Sequence, residues 1–240
     1  MKNNKIAING FFGRMGQAIY EQSKNDGYQV TVGIDKDDNF IDTPGIMLSN
    51  NLPDLSDLFD VVIDFSLPDF SVETVNHCIN IGKPITVGTT GFSDLQKDNL
   101  ALAGEKIPIL VAPNMSLGVN ASLRTIAELS KILTGYDVHI EETHHKNKVD
   151  SPSGTALKIA EVVAKSRNIN PSDIRIDASR EDGEIGVHKT VFKSSDDEII
   201  LFHNAFNRKI FAKGALETSQ WVVEQKPGLY TYKDYMDSIL

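Results

Sequence analysis

Short apolar runs alternate with helical patterns through the first half of the chain. Five apolar runs predict buried strands, at residues 6–9, 30–34, 61–64, 85–87 and 109–111. The stretches between them predict helices at residues 14–25, 68–81 and 93–104. Continuous apolar strands are typical of a parallel sheet that is covered on both faces. The alternation therefore predicts an α/β fold with a doubly wound parallel sheet.

The pattern changes after about Asn114. Strands and helices now follow one another as a helix at 120–133, a strand at 137–142, a helix at 155–166 and β-type runs at 174–176, 187–192 and 198–202. Hairpin-like runs after helices predict a second α+β region with a mixed or antiparallel sheet. A last helix, over 207–224, precedes Pro227-Gly228 and a tyrosine-rich tail.

Composition and charge narrow the class of protein. Of 240 residues, 40% are hydrophobic and 24% are charged, which is ordinary for a globular protein. The net charge of −9 disfavours a nucleic-acid partner, because binding phosphates needs a basic surface. The start resembles no signal peptide, and no apolar run approaches the roughly 20 residues of a membrane helix. We expect a cytoplasmic protein without a membrane partner, and the single Cys78 excludes an intrachain disulfide.

A glycine-rich turn joins the first predicted strand to the first predicted helix. Gly10, Gly13 and Gly16 have the spacing G-x-x-G-x-x-G, and Asp35 ends the second predicted strand. Such glycines let backbone amides approach a pyrophosphate, and an acid at that place hydrogen-bonds the adenosine ribose. A turn that only starts a helix is the alternative, but this order of elements favours a dinucleotide site. Its expected cofactor-binding residues are Gly10, Gly13, Arg14, Met15, Asp35 and Lys36, of which Lys36 would meet a 2′-phosphate.

Two further loops follow predicted strands of the same sheet. Gly88-Thr89-Thr90-Gly91 comes after residues 85–87, and Ala112-Pro113-Asn114-Met115 comes after residues 109–111. Open α/β sheets bind ligands at the carboxyl ends of their strands. Either loop alone is more often just a loop. Together they predict the nicotinamide side of a cofactor site, formed by Gly88, Thr89, Thr90, Ala112, Pro113, Asn114 and Met115.

Residues 144–148 form a basic segment in this acidic chain. His144, His145, Lys146 and Lys148 precede Ser153-Gly154-Thr155, which starts a predicted helix. Histidines exchange protons near neutral pH, and amides at a helix N-terminus bind anions. A lone histidine is usually a packed or surface residue, but this combination favours a site for a carboxylate and for proton transfer. Zinc is disfavoured, because adjacent histidines point apart and no cysteine accompanies them, so we expect no metal.

The run Glu-x-x-His-His-x-x-Lys-x-Asp-x-Pro-Ser-Gly-Thr-Ala, at 141–156, closely resembles the signature of the 4-hydroxy-tetrahydrodipicolinate reductase (dihydrodipicolinate reductase) family. Segments at 10–16, 64–66, 88–91, 112–116 and 183–188 resemble family segments in the family order. Together they span essentially the whole chain. The run at 141–156 is very specific, whereas the glycine turn alone is not.

The resemblance implies a Rossmann-type dinucleotide-binding domain, residues 1–115, completed by a C-terminal helix at 216–240. Residues 116–215 would bind the substrate and form a homotetramer. It implies hydride transfer from NADH or NADPH to a cyclic, unsaturated dicarboxylate of lysine and diaminopimelate biosynthesis. Residue by residue, it makes His144 the acid/base group and Lys148 the proton donor. It also makes His145, Gly154 and Thr155 contacts of the substrate, beside the helix start at Ser153.

Some positions depart from the family pattern, and two other functions stay open. Lys36 and Leu67 stand where many members have arginines, and a lysine lacks the bidentate fork, so a strong preference for NADPH is not expected. Met115 replaces a common phenylalanine. The alternatives are a related amino-acid or semialdehyde dehydrogenase, and a dinucleotide-sensing protein without turnover. The basic segment disfavours the first, and the intact acid/base residues disfavour the second.

Overall fold

A computed structural model of the chain describes residues 4–36, 41–146, 148 and 150–240, apart from the side chains of residues 53 and 54. The chain divides into two compact units. Unit 1 comprises residues 1–116 and 209–240, and unit 2 comprises residues 117–208. The chain therefore leaves unit 1 once and returns to it for its last segment.

Unit 1 contains a parallel sheet, with seven strands among the described residues. They are β1 (Ile6–Asn9), β2 (Val30–Ile34), β3 (Met47–Ser49), β4 (Val61–Asp64), β5 (Ile85–Val87), β6 (Pro108–Val111) and β11 (Gly228–Tyr230). Their order in the sheet is β11-β6-β5-β4-β1-β2-β3. The connection reverses direction between β1 and β4. In a sheet of this kind, ligands bind at the carboxyl ends of the strands beside such a reversal.

Helices cover both faces of this sheet, because alternate strand residues are apolar on both sides. The helices are α1 (Arg14–Asp26), α2 (Pro68–Ile81), α3 (Asp94–Ala103), α6 (Lys209–Val222) and α7 (Tyr232–Ser238). Ile6 and Ile8 of β1 pack with α1, α6 and α7 in one core. Ala7 faces the opposite core, which α2 and α3 close. The sheet is therefore a buried layer between two cores, with its strands packed on both faces.

Unit 2 packs two helices, α4 (Leu117–Ile132) and α5 (Gly154–Arg167), on a sheet whose strand order is β10-β9-β7-β8. Its strands are β7 (Asp137–His144), β8 (Arg175–Arg180), β9 (Val187–Lys193) and β10 (Glu198–Asn204). The pair β7–β8 is parallel and the other pairs are antiparallel. The predicted fold class is confirmed: a doubly wound parallel sheet and a second α+β region with a mixed sheet.

Several elements differ from their expected limits. The segment 216–240, expected as one helix, holds the end of α6, then β11 and α7, because Pro227 and Gly228 interrupt the helix. All of α6 belongs to unit 1, so the chain returns before residue 216. The strand expected at 137–142 continues to His144, because it pairs with β8 as far as Arg180.

Candidate active site

The glycine turn and the acid after β2 are in direct contact in unit 1. The Phe12 backbone N–H donates to Oδ2 of Asp35 over 2.8 Å, and the Lys36 N–H donates to Oδ1 over 2.9 Å. Gly10 has a φ of +78°, and a Cβ there would lie 2.3 Å from the Phe65 carbonyl oxygen. Glycine is therefore required at this position. The turn and Asp35 are held together at the carboxyl ends of β1 and β2.

The N-terminus of α1 is suited to an anion. Gly13 is the N-cap residue and has no side chain to cap the helix. The first turn, Arg14 to Gly16, is fully described and brings no acidic group to the helix start. Gly13 and Arg14 are exposed. Because exposed amides at a helix start attract phosphate, these residues fit the pyrophosphate of a dinucleotide.

A buried carboxylate lies at the end of β4. Asp64 is fully buried and accepts four side-chain hydrogen bonds of 2.5–2.7 Å, from Asn9, Ser66, Ser71 and Thr89. Burial raises the pKa of Asp64, and the hydrogen bonds lower it by less, so the net pKa lies above its ordinary value. The Ser66 N–H donates in turn to the Thr89 hydroxyl over 2.8 Å. This network joins the loop after β5 to the loop after β4.

In the loop after β5, Gly88 and Thr89 make contacts within the protein. The Thr89 hydroxyl donates to Asp64 and is buried. Gly88 packs on the Phe65 ring, where a Cβ would come within 2.2 Å of a ring carbon. Thr90 is exposed. Of the three residues expected to contact the cofactor here, only Thr90 has an exposed side chain in the structure.

The loop after β6 also contains both buried and solvent-accessible residues. Ala112 and Met115 are buried in the core that packs against α6. Pro113 is exposed and Asn114 is half-buried, and Oδ1 of Asn114 accepts the Ser116 N–H over 2.9 Å. A contact between this loop and a ligand therefore involves Pro113, Asn114 or the backbone.

In unit 2, four side chains meet on one face of the sheet. Glu142 and His144 alternate along β7, so they point the same way. His188 of β9 pairs with Glu142, and Arg180 of β8 pairs with His144. Oε2 of Glu142 lies 3.5 Å from Nδ1 of His144 and 3.6 Å from Nε2 of His188, while Oε1 lies 3.6 Å from Nη1 of Arg180. We call these four residues the Glu142 cluster.

The start of α5 is anchored to the Glu142 cluster. The Ser153 N–H donates to Oε1 of Glu142 over 2.8 Å, and the Ser153 hydroxyl lies 3.2 Å from Nε2 of His188. Ser153 is the N-cap residue, and its hydroxyl accepts the Ala156 N–H. Gly154 is exposed. The buried serine therefore fixes the helix start, and the Gly154 N–H that follows it already hydrogen-bonds a carboxylate, that of Asp150.

The residues of the basic segment lie in different environments. Nζ of Lys148 pairs with Asp150 over 2.9 Å, and its side chain is 23% exposed. Lys146 pairs with Asp182 and is 63% exposed. His145 is half-buried, and its Nδ1 has no hydrogen-bond partner among the described residues. Only His144 of this segment belongs to the Glu142 cluster, and Lys148 is the partly shielded ammonium beside it.

The surroundings of the cluster set its charges. Burial opposes ionisation of Glu142, but the nearby His188 ring, the hydrogen bonds from Ser153 and the nearby His144 outweigh it and lower the Glu142 pKa to about 2. Burial lowers the pKa of His144 to about 4, and the opposing effect of Glu142 is smaller. At neutral pH, Glu142 is therefore an anion and His144 is uncharged.

The spacing in the cluster also suits a metal ion. Glu142, His144 and His188 each offer one ligand atom, and these atoms lie within 4.8 Å of one another. Arg180 lies against the same carboxylate at 3.6 Å. A neighbouring cation opposes binding of a second one, so we interpret the cluster as a carboxylate surrounded by basic side chains and assign no metal to it.

Comparison with known proteins covers the whole chain. Residues 4–115 match the family profile described as dihydrodipicolinate reductase, N-terminus, and residues 118–236 match that of its C-terminus. A 4-hydroxy-tetrahydrodipicolinate reductase of Buchnera aphidicola subsp. Cinara cedri is 34% identical over 100% of this chain and 99% of its own length. The chain belongs to the dihydrodipicolinate reductase family. The resemblance inferred from the sequence is confirmed.

Other relatives support the same family membership. A 4-hydroxy-tetrahydrodipicolinate reductase of Haloarcula marismortui is 35% identical over 98% of this chain and 99% of its own. The dipicolinate-bound dihydrodipicolinate reductase from Paenisporosarcina sp. TG-14 superposes with a TM-score of 0.84 at 26% identity, over 95% and 97% of the two chains. Aspartate semialdehyde dehydrogenase II from Vibrio cholerae, at 10% identity and a TM-score of 0.56 over 93% and 99%, shares only the fold.

Four residues at the candidate sites of units 1 and 2 of this dihydrodipicolinate reductase family member are not predicted from its sequence. Asp64 and His188 lie within the family-like segments at 64–66 and 183–188, but the sequence predicts no role for them, nor for Glu142 and Arg180. The period of two along β7 would have placed Glu142 beside His144. Arg180 and His188 depend on strand register, for which the sequence carries no signal.

We expect unit 2 of this dihydrodipicolinate reductase family member to lose stability in acid. The unfolded chain binds a proton on His144 near pH 6.5 and the folded chain only near pH 4. For Glu142 the corresponding values are 4.5 and about 2. Both folded pKa values lie below the unfolded ones, so stability present at neutral pH falls as the pH drops from about 6.5 to 2.

Amide hydrogen exchange in β7 and β9, measured at several pH values, checks this expectation. Protection should fall with pH in the wild type. Glu142→Gln should flatten the part of the profile below pH 4, where the Glu142 carboxylate contributes more than His144. Protection that stays constant from pH 7 to pH 3 would contradict it.

Proposed function

We propose that this chain catalyses the NAD(P)H-dependent reduction of 4-hydroxy-tetrahydrodipicolinate to tetrahydrodipicolinate in lysine and diaminopimelate biosynthesis. The observation that carries this conclusion is the match over essentially the full chain to relatives named for the reaction, at 34–35% identity. The chain is thus an NAD(P)H-dependent oxidoreductase with a small-molecule dicarboxylate substrate.

In this proposal, residues 1–115 with the C-terminal segment hold NADH or NADPH. The amides from Gly13 to Met15 hold the pyrophosphate, because the N-terminus of α1 carries partial positive charge and no acidic group. Asp35, held by the Phe12 N–H, accepts from the ribose. Thr90, Pro113 and Asn114 face the nicotinamide, with Gly88, Thr89, Ala112 and Met115 shaping the loops behind them. When bound, the reduced nicotinamide supplies the hydride.

In the same proposal, residues 116–215 bind the substrate. Its carboxylates are met by the amides of Gly154 and Thr155, by His145 and by the positive charge of Lys148. Lys148 holds the proton that the substrate takes up, because an ammonium is a donor at neutral pH whereas His144 is uncharged there. Ser153 fixes the helix start, and His144 orients the groups around Lys148.

We also propose a cytoplasmic homotetramer, as the family resemblance implies. No helix formed by the described residues is long and apolar enough to cross a membrane. On β10, Ile200 is 45% exposed and Phe202 is 60% exposed, on the sheet face opposite α4 and α5. Exposed apolar side chains of this kind support an interface between copies. Light scattering of the purified chain tests it, and a monomeric mass at micromolar concentration would refute it.

The reduction is tested by the fall in NADPH absorbance with freshly generated 4-hydroxy-tetrahydrodipicolinate. We expect consumption with this substrate and none with aspartate semialdehyde, the substrate class of the alternative dehydrogenase. Cofactor binding without consumption of either would refute the proposal and favour the dinucleotide-sensing alternative.

Lys36→Ala should reveal how the two cofactors are distinguished. Lys36 is exposed and follows Asp35, where a 2′-phosphate would lie. An exposed ion pair contributes up to about 1 kcal/mol, so the KM for NADPH should rise about fivefold. The KM for NADH, measured on the same variant, serves as the control and should not change. An equal rise for both cofactors would mean that Lys36 does not contact the 2′-phosphate.

A further inference from the structure

Glu142 combines features that a purely structural acid rarely has. It is 1% exposed, and its ion pair with Arg180 involves Oε1 alone, at 3.6 Å. Oε1 accepts the Ser153 N–H. Oε2 faces two imidazoles and has no hydrogen-bond partner among the described residues. A buried carboxylate oxygen without a donor costs free energy, so one of the two rings is expected to donate to it.

His144 is the better candidate for that donor. Its Nδ1 lies 3.5 Å from Oε2 and has no other partner among the described residues. Nε2 of His188 lies at 3.6 Å and is already within 3.2 Å of the Ser153 hydroxyl. A 3.5 Å separation exceeds an ordinary N–H···O hydrogen bond by a few tenths of an ångström, so the ring must turn toward Oε2 to donate to it.

Nε2, the other ring nitrogen of His144, faces the backbone of Gly186. A Cβ at Gly186 would lie 3.1 Å from Nε2 of His144, so the glycine leaves space at this atom. An imidazole with its proton on Nδ1 has a lone pair on Nε2, which accepts a hydrogen bond and gives no proton. In that state His144 can orient an ammonium or a substrate N–H group, and the proton itself must come from another residue.

We propose that Glu142 is a positioning residue of the reduction: its carboxylate keeps the proton of His144 on Nδ1, presents Nε2 as an acceptor beside Gly186, and ties the ring to the start of α5 through Ser153. This inference rests on the proposed function and deepens it. It separates the two roles, because Lys148 is then the proton donor and His144 the acceptor that orients it. The uncharged state of His144 at neutral pH supports the assignment.

The first test is the tautomer of His144 in the wild-type chain, from NMR of protein with ¹⁵N-labelled imidazoles; the His144 signals are identified by their loss in His144→Gln. We expect the proton on Nδ1 at pH 7. Glu142→Gln keeps an oxygen for the Ser153 N–H but turns an amide donor toward His144, so the proton should move to Nε2.

The second test is steady-state kinetics of the same variants. Glu142→Gln should lower kcat about 10²-fold while the substrate KM changes little, because the wrong tautomer removes acid–base organisation and leaves the anion contacts in place. Glu142→Asp, which retains the carboxylate, should recover part of the rate and the Nδ1 tautomer. Glu141→Gln is the matched control: this neighbouring acid pairs with Lys189 and His139 on the opposite face, and neither measurement should change.

Each outcome decides the matter. A wild-type His144 with its proton on Nε2, or a Glu142→Gln variant with an unchanged tautomer and kcat, would overturn the role of Glu142. Zn²⁺ binding by the wild type that Glu142→Gln abolishes would also overturn it, since a metal on Nδ1 replaces the proton. The wild-type spectrum needs no variant at position 142 to fold. It also needs no turnover, so failure of the proposed reduction is distinguishable from failure of this inference.

Discussion

Lys148→Ala should lower kcat by about 10²- to 10⁴-fold, the range over which a positioned proton donor accelerates a reaction. Lys148 is 23% exposed and lies in unit 2, whereas the glycine turn lies in unit 1. Its loss should therefore leave the affinity for NADPH unchanged. Steady-state kinetics give kcat, and a fluorescence titration with NADPH gives the affinity.

Two variants separate proton donation from charge. Lys148→Arg keeps the positive charge, but a guanidinium does not release its proton, so kcat should stay low. Lys146→Ala removes an exposed ammonium two residues away, paired with Asp182, and should have the wild-type rate. A Lys148→Arg variant with full activity would show that the residue supplies charge alone. Equal losses at positions 146 and 148 would point to a general electrostatic effect.

The parallel sheet was predictable from sequence because its central strands are continuous apolar runs. Buried strands such as β1 and β4 have apolar residues on both faces, and a helix needs a polar face that they lack. The edge strands β3 and β11 were not predicted. Each is three residues long, and neither contains a fully buried residue. So short and exposed a segment carries no periodic signal, and it becomes a strand only by pairing with β2 or β6.

The sequence predicted which segments form the candidate sites, but it did not predict how their side chains are arranged. Sequence spacing located the loop that contains Thr89, but composition cannot tell whether a hydroxyl faces a ligand or a buried acid such as Asp64. In unit 2 the basic residues were conspicuous in an acidic chain. Glu142 looked like an ordinary strand residue, because its importance comes from His188 on a neighbouring strand, and that register exists only in the folded chain.

Gly10→Ala should destabilise unit 1 by roughly 4 kcal/mol, well beyond the cost of an unfavourable φ alone. The added Cβ would lie 2.3 Å from the Phe65 carbonyl oxygen and 2.9 Å from its carbon, which are backbone atoms that cannot rotate away. Moving that backbone also disturbs the turn that contacts Asp35. We therefore expect NADPH affinity to fall together with stability.

Gly27→Ala is the matched control, because Gly27 has a φ of +77° against +78° at Gly10, and a Cβ there meets no atom within 4 Å. It isolates the conformational cost, about 1–2 kcal/mol, from the steric one. Fluorescence of Trp221, the single tryptophan, follows urea unfolding of unit 1 because the residue packs in its core. Equal losses for the two variants would mean that φ alone requires glycine at position 10. A larger loss of stability for Gly10→Ala, accompanied by weaker NADPH binding, would mean that the close approach to Phe65 requires glycine at position 10.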